Sequence, residues 1–216
     1  MAKLTDLSPE VVAETPECPI GQVNKALINT IRDFCWNTHY WQHEMEPITL
    51  LPFSEQAPET CIYTLPVPEN TEMLTVITLV YNGSLLSMKS QSWLDSNVNN
   101  WRQASGEPLY YLMMSDKRVR FVPASDIVRP VAVTGTLILQ PTKVTNEFDD
   151  RLMEFDQAII NGALAKLLVI PDKKWSNSRR ATVSEAVYQE GLSRARFMVI
   201  KGFSTGTETA GRRSWL

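Results

Sequence analysis

The order of the hydrophobic patterns along the 216 residues is the feature that most constrains the fold. Apolar residues recur at helical spacing in the first and last thirds of the chain, whereas the middle holds short runs rich in β-branched and aromatic residues. This order predicts an α+β protein. We expect the two outer thirds to pack together as a helical bundle and the middle to form a small inserted antiparallel β-sandwich or barrel.

Prolines and the change of hydrophobic period set the expected boundaries. These are an N-terminal helical part with a linker over 1–58, a β-domain over 59–142, C-terminal helices over 143–203 and an extended tail over 204–216. A helical turn is expected over 8–14 with Ser8 as its cap, and a longer helix over 20–42. The last helix is expected over 178–201.

The turn signals of the middle region place its strands. Asn82-Gly83 is the preferred two-residue hairpin turn, because both positions must adopt a positive φ. Strands are therefore expected over 73–81 and 85–88, on the two sides of this turn. A polar loop is expected over 96–106, and a last strand rich in β-branched residues over 131–139.

The segment from Asn146 to Trp175 predicts one long amphipathic helix that stops at Pro171. Its 24 or so helical residues would span about 36 Å at roughly 1.5 Å per residue. Gly162 lies in the middle of this helix, where glycine costs about 1 kcal/mol relative to alanine. Gly162 and Ala163 therefore predict close packing, either within the bundle or against a neighbouring protomer in a ring.

The net charge of −3 is unevenly distributed along the chain. Residues 1–80 hold 3 basic and 11 acidic side chains, residues 81–171 hold 9 of each, and residues 172–216 hold 9 basic and 4 acidic. Proteins that bind nucleic acid tightly gain affinity from a surplus of Lys and Arg that displaces counterions. Any contact with DNA is therefore expected to be weak and non-specific.

Membrane insertion, secretion and disulfide bonding are not expected from the sequence. No apolar run approaches the ~20 residues that a membrane-spanning helix needs, and residues 1–14 lack the apolar core of a signal peptide. The three cysteines, Cys18, Cys35 and Cys61, are odd in number and share no metal-type spacing. Reduced structural thiols in a cytosolic setting are the expected state.

Two patterns that can indicate an enzyme lack the context that their chemistry needs. Gly202-Phe-Ser-Thr-Gly206 matches G-x-S-x-G, but that motif requires a preceding strand and a histidine further along the chain. His39 and His43 both precede it. Their four-residue spacing could direct both towards one metal ion, but a third ligand at a recognised spacing is missing. No catalytic, cofactor-binding or metal-binding residue is therefore assigned.

Two further groups of side chains have both a functional and a structural interpretation. Acidic residues on the predicted long helix could act as acid–base pairs, but a solvated helix face explains them better; they are Asp149, Asp150, Glu154 and Asp156. Aromatic residues of the β-domain could form a sugar-binding platform, which would suit a carbohydrate-binding tail or baseplate protein, or could simply pack its core; they are Trp93, Trp101, Tyr110 and Tyr111.

The basic tail is the strongest candidate for docking on a partner. Arg and Trp often dominate the binding energy of protein interfaces. The segment over 204–216 carries these residue types but too little apolar area to fold alone, so it would order on a partner. The candidate docking residues are Arg212, Arg213, Trp215 and Leu216. The alternative is an ordinary frayed terminus.

Several short motifs follow one another in an order that resembles a known family. They are FCWNTHYW over 34–41, YTLP over 63–66, LVYNGSLL over 79–86, GEPLYYLMM over 106–114, RFVP over 120–123, NGALAKLL over 161–168 and PDKKW over 171–175. In this order the chain is similar, over residues 20–203, to the head–tail adaptor (connector) proteins of tailed bacteriophages, especially short-tailed ones. Residues 1–19 and the tail match no pattern of that family.

The resemblance implies a structural protein without enzymatic activity or cofactor. Members of the family assemble as a ring, a dodecamer, beneath the portal protein, where they extend the DNA channel and support the downstream tail or nozzle proteins. A helical bundle surrounds the channel, a β-domain projects outward and the C-terminus docks on the portal. The implied location is the head–tail junction of the virion, and the host cytoplasm during assembly.

Overall fold

The computed structural model describes residues 1–52, 61–126 and 132–203, and it is an α+β protein. Five α-helices lie in these ranges: α1 (Leu4–Glu14), α2 (Ile20–Thr38), α3 (Gln91–Asn97), α4 (Asp156–Leu168) and α5 (Ser178–Ile200). A 3-10 helix, Asp150–Phe155, directly precedes α4. None of the described helices combines the length and the apolar character needed to cross a membrane.

The strands are short apart from two. They are β1 (Ala2–Lys3), β2 (Gln42–Glu44), β3 (Ile48–Thr49), β4 (Ile62–Tyr63), β5 (Thr71–Tyr81), β6 (Ser84–Leu85), β7 (Ser87–Met88), β8 (Ser105–Gly106), β9 (Tyr110–Met113), β10 (Val119–Val122), β11 (Ala124–Ser125), β12 (Ala132–Pro141) and β13 (Glu147–Phe148). The described residues fall into two compact units. The helical unit comprises residues 1–40 and the described residues from Asp149 onward, and the β unit comprises Trp41–Phe148.

Within the helical unit, α4 is the central element. It contacts α1, α2 and α5, and nine of its thirteen residues are buried. An apolar helix of this kind is stable only when other helices cover it on most sides. The amphipathic helix α2 supplies one covering face, with Leu27, Ile31 and Phe34 fully buried. The unit therefore joins helices from the two ends of the chain.

The observed starts and ends of the N-terminal helices differ from the predicted ones. α1 begins at Leu4 rather than at residue 8, because the Asp6 carboxylate accepts the Lys3 backbone N–H at 2.9 Å and so caps the helix. Ser8 is therefore not a cap but a buried helical residue. α2 ends at Thr38, before the predicted residue 42, because His39 adopts a left-handed conformation with φ of 55°.

The β unit contains a five-stranded sheet built around β12. Its strand order is β2-β12-β5-β6, and β3 pairs with another part of β12. The predicted hairpin turn is confirmed, since Asn82 and Gly83 have φ of 47° and 78° and Tyr81 pairs with Ser84. Residues of the expected linker form β2 and β3, whose backbone groups complete the hydrogen bonding of β12.

The β unit also contains a four-stranded sheet, ordered β4-β10-β9-β7. Its pairs are antiparallel except for β7 with β9, and the short pair of β8 with β11 is also parallel. The expectation of an antiparallel β-domain therefore holds for the other described strand pairs of this unit but not for these two. One of the two parallel pairs arises because the chain changes sheet after the Asn82-Gly83 hairpin. β6 pairs with β5, whereas β7, which follows it directly, pairs with β9 of the four-stranded sheet.

The single long helix from Asn146 does not form, because the Asp149 carboxylate accepts the Arg151 backbone N–H at 2.8 Å and starts a 3-10 helix instead. The polar loop expected over 96–106 is present from residue 98 to residue 104. Its first two residues belong to α3, which Ser90 caps by accepting the Trp93 backbone N–H at 3.2 Å. The last helix, α5, matches its predicted range to one residue.

Candidate functional site

The predicted packing residue Gly162 lies where α4 passes both α2 and α5. A Cβ atom at this position would stand 2.6 Å from Cγ2 of Thr30 and 2.8 Å from Cδ2 of Tyr188. Both distances are well below van der Waals contact, so any larger side chain would push a neighbouring helix away. Gly162 is buried, and the adjacent Ala163 has no exposed surface. Both residues therefore lie inside the helical unit.

A second glycine brings α5 against α4 one turn further along. A Cβ atom at Gly191 would overlap the Cβ atom of Ala158. The two helices therefore meet through Gly162 with Tyr188 and through Ala158 with Gly191, which is a close antiparallel contact. Gly191 carries the same sequence signal as Gly162, a glycine inside a helical pattern, but is not among the predicted packing residues.

Two hydroxyl groups of α5 are buried beside this contact without a hydrogen-bond partner among the described residues. They belong to Ser184 and Tyr188. Burial raises the pKa of Tyr188 above its ordinary value, and the charges of Asp33 and Glu185 raise it further. The phenol therefore stays protonated, and Tyr188 serves as a large packing side chain at the crossing.

An aromatic cluster closes the helical unit at the end of α5. The ring of Phe155 lies 5.1 Å from Phe34 and 4.9 Å from Tyr40, and the ring of Phe203 lies 5.3 Å from Tyr40. The Tyr40 pair with Phe155 is close to edge-on, at an interplanar angle of 79°. Such pairs stabilise by about 0.5–1.5 kcal/mol beyond area burial. The cluster therefore extends to Phe203, which is 41% exposed and is the last described residue.

A polar network borders the aromatic cluster. The Tyr40 hydroxyl donates to Oε2 of Glu154 at 2.9 Å, and Arg194 pairs with the other oxygen at 3.3 Å. Burial and then the hydrogen bond to Glu154 raise the pKa of Tyr40 to about 12. Nearby, Nε of Arg196 donates to the Asn37 backbone oxygen at 2.8 Å. The end of α5 is therefore tied to the end of α2 by charged and aromatic contacts.

The candidate tail residues lie beyond this anchored point. Arg212, Arg213, Trp215 and Leu216 are outside the described residues, as is Ser204 of the G-x-S-x-G match. The part of that match that is described follows a helix, with φ of 62° at Gly202. A nucleophile elbow follows a strand, so the described backbone before Ser204 differs from that of an elbow.

The four aromatic residues considered for sugar binding do not form one exposed platform. Trp101 is 5% exposed and packs with Leu94 and Val122 in a small core, and Tyr111 is also buried. Trp93 and Tyr110 pack against the same core, with ring centroids 5.3 Å apart. Trp101 and Tyr111 therefore lie in the interior of the β unit, and Trp93 and Tyr110 are half-buried beside the core of Trp101.

The edge of the Trp101 ring is covered by charged groups. Its indole N–H donates to Oδ1 of Asp95 at 2.9 Å, and the same oxygen accepts from Arg102 at 2.8 Å. These two hydrogen bonds lower the pKa of Asp95. The guanidinium groups of Arg102 and Arg120 lie 4.3 Å and 5.2 Å from the Trp101 ring centroid. The indole is therefore held by cation–π contacts and is closed to a sugar.

The two histidines belong to different units. His39 caps the end of α2, whereas His43 lies in β2 and pairs with Leu137 of β12. The helical spacing that would direct both towards one metal ion is therefore absent. In the described ranges, no three His, Cys, Asp or Glu side chains come together in a group that could hold a metal ion.

The acidic residues around the 3-10 helix are engaged in structural contacts. Burial acts to raise the pKa of Asp149, but the hydrogen bonds and charge of Arg151 outweigh it, so this pKa is lowered. Nη2 of Arg151 pairs with Asp149 at 2.6 Å, and Glu154 is held by Tyr40 and Arg194. The three cysteines are buried. The described acids therefore serve as helix caps and ion pairs.

Comparison with known proteins adds no family assignment to this geometry. A scan against protein-family models finds no match, and a search of curated proteins finds no significant match.

Proposed function

We propose that this chain is a non-enzymatic head–tail adaptor of a tailed bacteriophage. In this proposal the helical unit is a bundle around a DNA channel, and the β unit is an inserted β-sandwich that projects from it. Copies of the chain form a ring, a dodecamer, beneath the portal protein in the virion. The ring extends the channel, contacts passing DNA weakly and supports the downstream tail or nozzle proteins.

The observation that carries the proposal is the way the chain is divided. Residues 1–40 and those from Asp149 onward pack as one helical unit, and Trp41–Phe148 form a separate unit of strands. The motifs that resemble the adaptor family imply this same order. The net charge of −3 also supports the proposal, since a conduit should not retain DNA.

The outer face of α5 supports self-association. Val183, Val187 and Phe197 are 51%, 37% and 57% exposed on α5. Val183 and Val187 are neighbours one turn apart on the helix surface, and exposed apolar neighbours are typical of a surface that another protein covers. In the proposed ring, this face lies against a neighbouring copy.

The anchored end of α5 supports the proposed docking of the tail on the portal. Phe203 contacts the aromatic cluster, so the segment that carries Arg212, Arg213 and Trp215 starts beside the helical unit. A short attachment raises the effective concentration of a docking segment at its partner. In each copy the tail would therefore add one contact to a multivalent ring.

The test is reconstitution with the portal protein encoded nearest to this gene. Purified chain and portal are mixed and examined by cryo-electron microscopy and native mass spectrometry, and a ring of this chain on the portal is expected. A chain truncated after Phe203 should keep its circular dichroism spectrum but lose docking. If no ring forms with the portal, the assignment is wrong; if the truncated chain docks as well as the full chain, the tail mechanism is wrong.

The ring interface is tested separately from the tail. The double variant Val183→Glu/Val187→Glu should keep the fold, because both side chains are exposed, but should prevent ring formation on the portal. The matched control is Thr182→Glu/Ser193→Glu, which adds the same charge at exposed polar positions to the side of this face on the same helix. Ring formation that survives in the first variant would exclude this face of α5 as the interface.

A further inference from the structure

A groove of about 350 Å³ runs between the first half of α2 and the end of α4. Its lining combines three apolar side chains at the base with five polar side chains. These are Ala26, Leu167 and Ile170, and Gln22, Lys25, Asn29, Lys166 and Lys173. The groove lies within the helical unit and is separate from the aromatic cluster at Tyr40. Its volume lies at the small end of the range for ligand sites, about 300–1,000 Å³.

The charge of the groove has one sign. Three of its polar side chains are lysines, the other two are amides that can donate hydrogen bonds, and none is acidic. Lys166 is paired with Asp33. In contrast, Lys25 and Lys173 are exposed, and neither is in an ion pair with a residue that the structure describes. The adjacent Lys174 is paired with Glu17 and does not line the groove.

Several other basic residues of the described chain are paired with an acidic side chain. They are Arg102, Arg118, Arg151, Arg180 and Arg194. Unpaired ammonium groups that share a groove repel one another, and an anion between them removes that repulsion. Lysine is a point-charge binder of phosphate, and neighbouring amide N–H groups can donate to the remaining phosphate oxygens.

We infer that the groove between α2 and α4 binds phosphate groups through Lys25 and Lys173, with Lys166, Gln22 and Asn29 contributing. The phosphate is either a free ion or part of a nucleic-acid backbone. Because only two of the three lysines that line the groove lack an ion pair with a described residue, the affinity is in the range of non-specific nucleic-acid binding, a Kd of about 10⁻⁴ to 10⁻⁶ M at physiological salt. This inference does not depend on the proposed function.

The test is the binding of a fluorescein-labelled DNA duplex of about 20 base pairs, followed by anisotropy over a series of salt concentrations. The variant Lys25→Gln/Lys173→Gln should weaken binding at least about fivefold and lower the slope of log K against log salt by about 2, one unit for each phosphate contact. The matched control Lys143→Gln/Lys201→Gln removes the same charge at exposed positions outside the groove. It should change binding by less than about twofold.

A second arm separates the two sources of phosphate. Inorganic phosphate and sodium tripolyphosphate are added as competitors and titrated by calorimetry. If phosphate or tripolyphosphate displaces the duplex from the wild type, and the groove variant no longer binds these anions, then free phosphate is a ligand. If the wild type binds the duplex but neither anion displaces it, then the nucleic-acid backbone is the ligand. Both results support the inference. Equal loss in the groove and control variants, or no binding of any of the three probes, would overturn it without bearing on ring formation.

Discussion

The two units each contain a position where only glycine fits, but different atoms close the space. At Gly162 of the helical unit, a Cβ atom would meet the side chains of Thr30 and Tyr188. At Gly135 of the β unit, it would overlap the backbone oxygen of Thr78 and lie 2.7 Å from Cδ2 of Leu79. The helical contact is thus closed by side chains and the sheet contact by backbone.

This difference predicts how each unit tolerates change. A side chain can change rotamer or be shortened, whereas the Thr78 carbonyl belongs to the ladder between β5 and β12 and cannot move without breaking pairs. The pairing also shifts register between Thr136 and Leu137, directly after Gly135. Bulges of this kind are sensitive to the residue that allows them. We therefore expect a larger penalty in the β unit.

The largest expected effect is that of Gly135→Ala. The added methyl group meets backbone, so the free energy of unfolding of the β unit should fall by about 3 kcal/mol. Hydrogen exchange measured by mass spectrometry should show faster exchange across β5 and β12, while peptides of α4 and α5 remain unchanged. A loss below about 1 kcal/mol would contradict the comparison, because it would mean that β5 moves as easily as a side chain.

Gly162→Ala should have a smaller effect that a second substitution partly reverses. We expect a loss of about 2 kcal/mol from overpacking between α4, α2 and α5. Thr30→Ser removes the clashing Cγ2 and keeps a hydroxyl that can bond the Ala26 oxygen, now at 2.8 Å. The double variant should recover about 1 kcal/mol in urea unfolding. Strict additivity of the two substitutions would exclude Thr30 as the obstacle.

The sequence predicts those parts of the fold that local signals control. The range of α5 and the Asn82-Gly83 turn follow from periodicity and from the need for positive φ, and both agree with the structure. The segment around Phe148, Leu152 and Phe155 keeps helical spacing but forms a strand and a 3-10 helix. The spacing of apolar residues alone does not distinguish the α-helix α5 from this strand and 3-10 helix, because the Asp149 cap decides where helical hydrogen bonding begins.

The sites depend more on contacts between distant parts of the chain. Gly162 can be recognised from the sequence as a glycine inside a helix, but its partners Thr30 and Tyr188 come from two other helices. The lysine groove likewise joins Lys25 with Lys173, which are 148 positions apart in the chain. No local pattern connects such residues. The sequence therefore indicates where packing is unusual but not which side chains meet there.

Two buried tyrosines of the helical unit should respond differently to removal of their hydroxyl groups. Tyr40→Phe removes the hydrogen bond to Glu154 and should lower the free energy of unfolding by about 1 kcal/mol. Tyr188→Phe removes a hydroxyl without a described partner, so stability should stay within about 0.5 kcal/mol or rise. Urea unfolding at neutral pH measures both. Equal losses would show that the Tyr188 hydroxyl has a bonding partner in solution.

The pH dependence of stability gives a further test of the Tyr40 environment. Its pKa is raised from 10.0 to about 12, so the folded chain keeps a proton that the unfolded chain loses. The contribution of this proton to the free energy of unfolding is fully present below pH 10 and is lost as the pH rises towards 12. Between pH 9 and pH 12, the midpoint temperature of thermal unfolding should therefore fall less steeply in Tyr40→Phe than in the wild type. Identical slopes would mean that Tyr40 titrates as an ordinary tyrosine.

The smallest expected effect is a gain, and it tests whether the losses at Gly135 and Gly162 arise from crowding. At Gly21, near the start of α2, a Cβ atom would have no neighbour within 4 Å and φ is not positive. Gly21→Ala should therefore raise the free energy of unfolding by about 0.5 kcal/mol, because alanine loses less backbone entropy in a helix. The chemical change is the same as at Gly162, so the opposite sign isolates the effect of Thr30 and Tyr188. If Gly21→Ala is also destabilising in urea unfolding, the cost of replacing glycine in this unit does not come from helix packing.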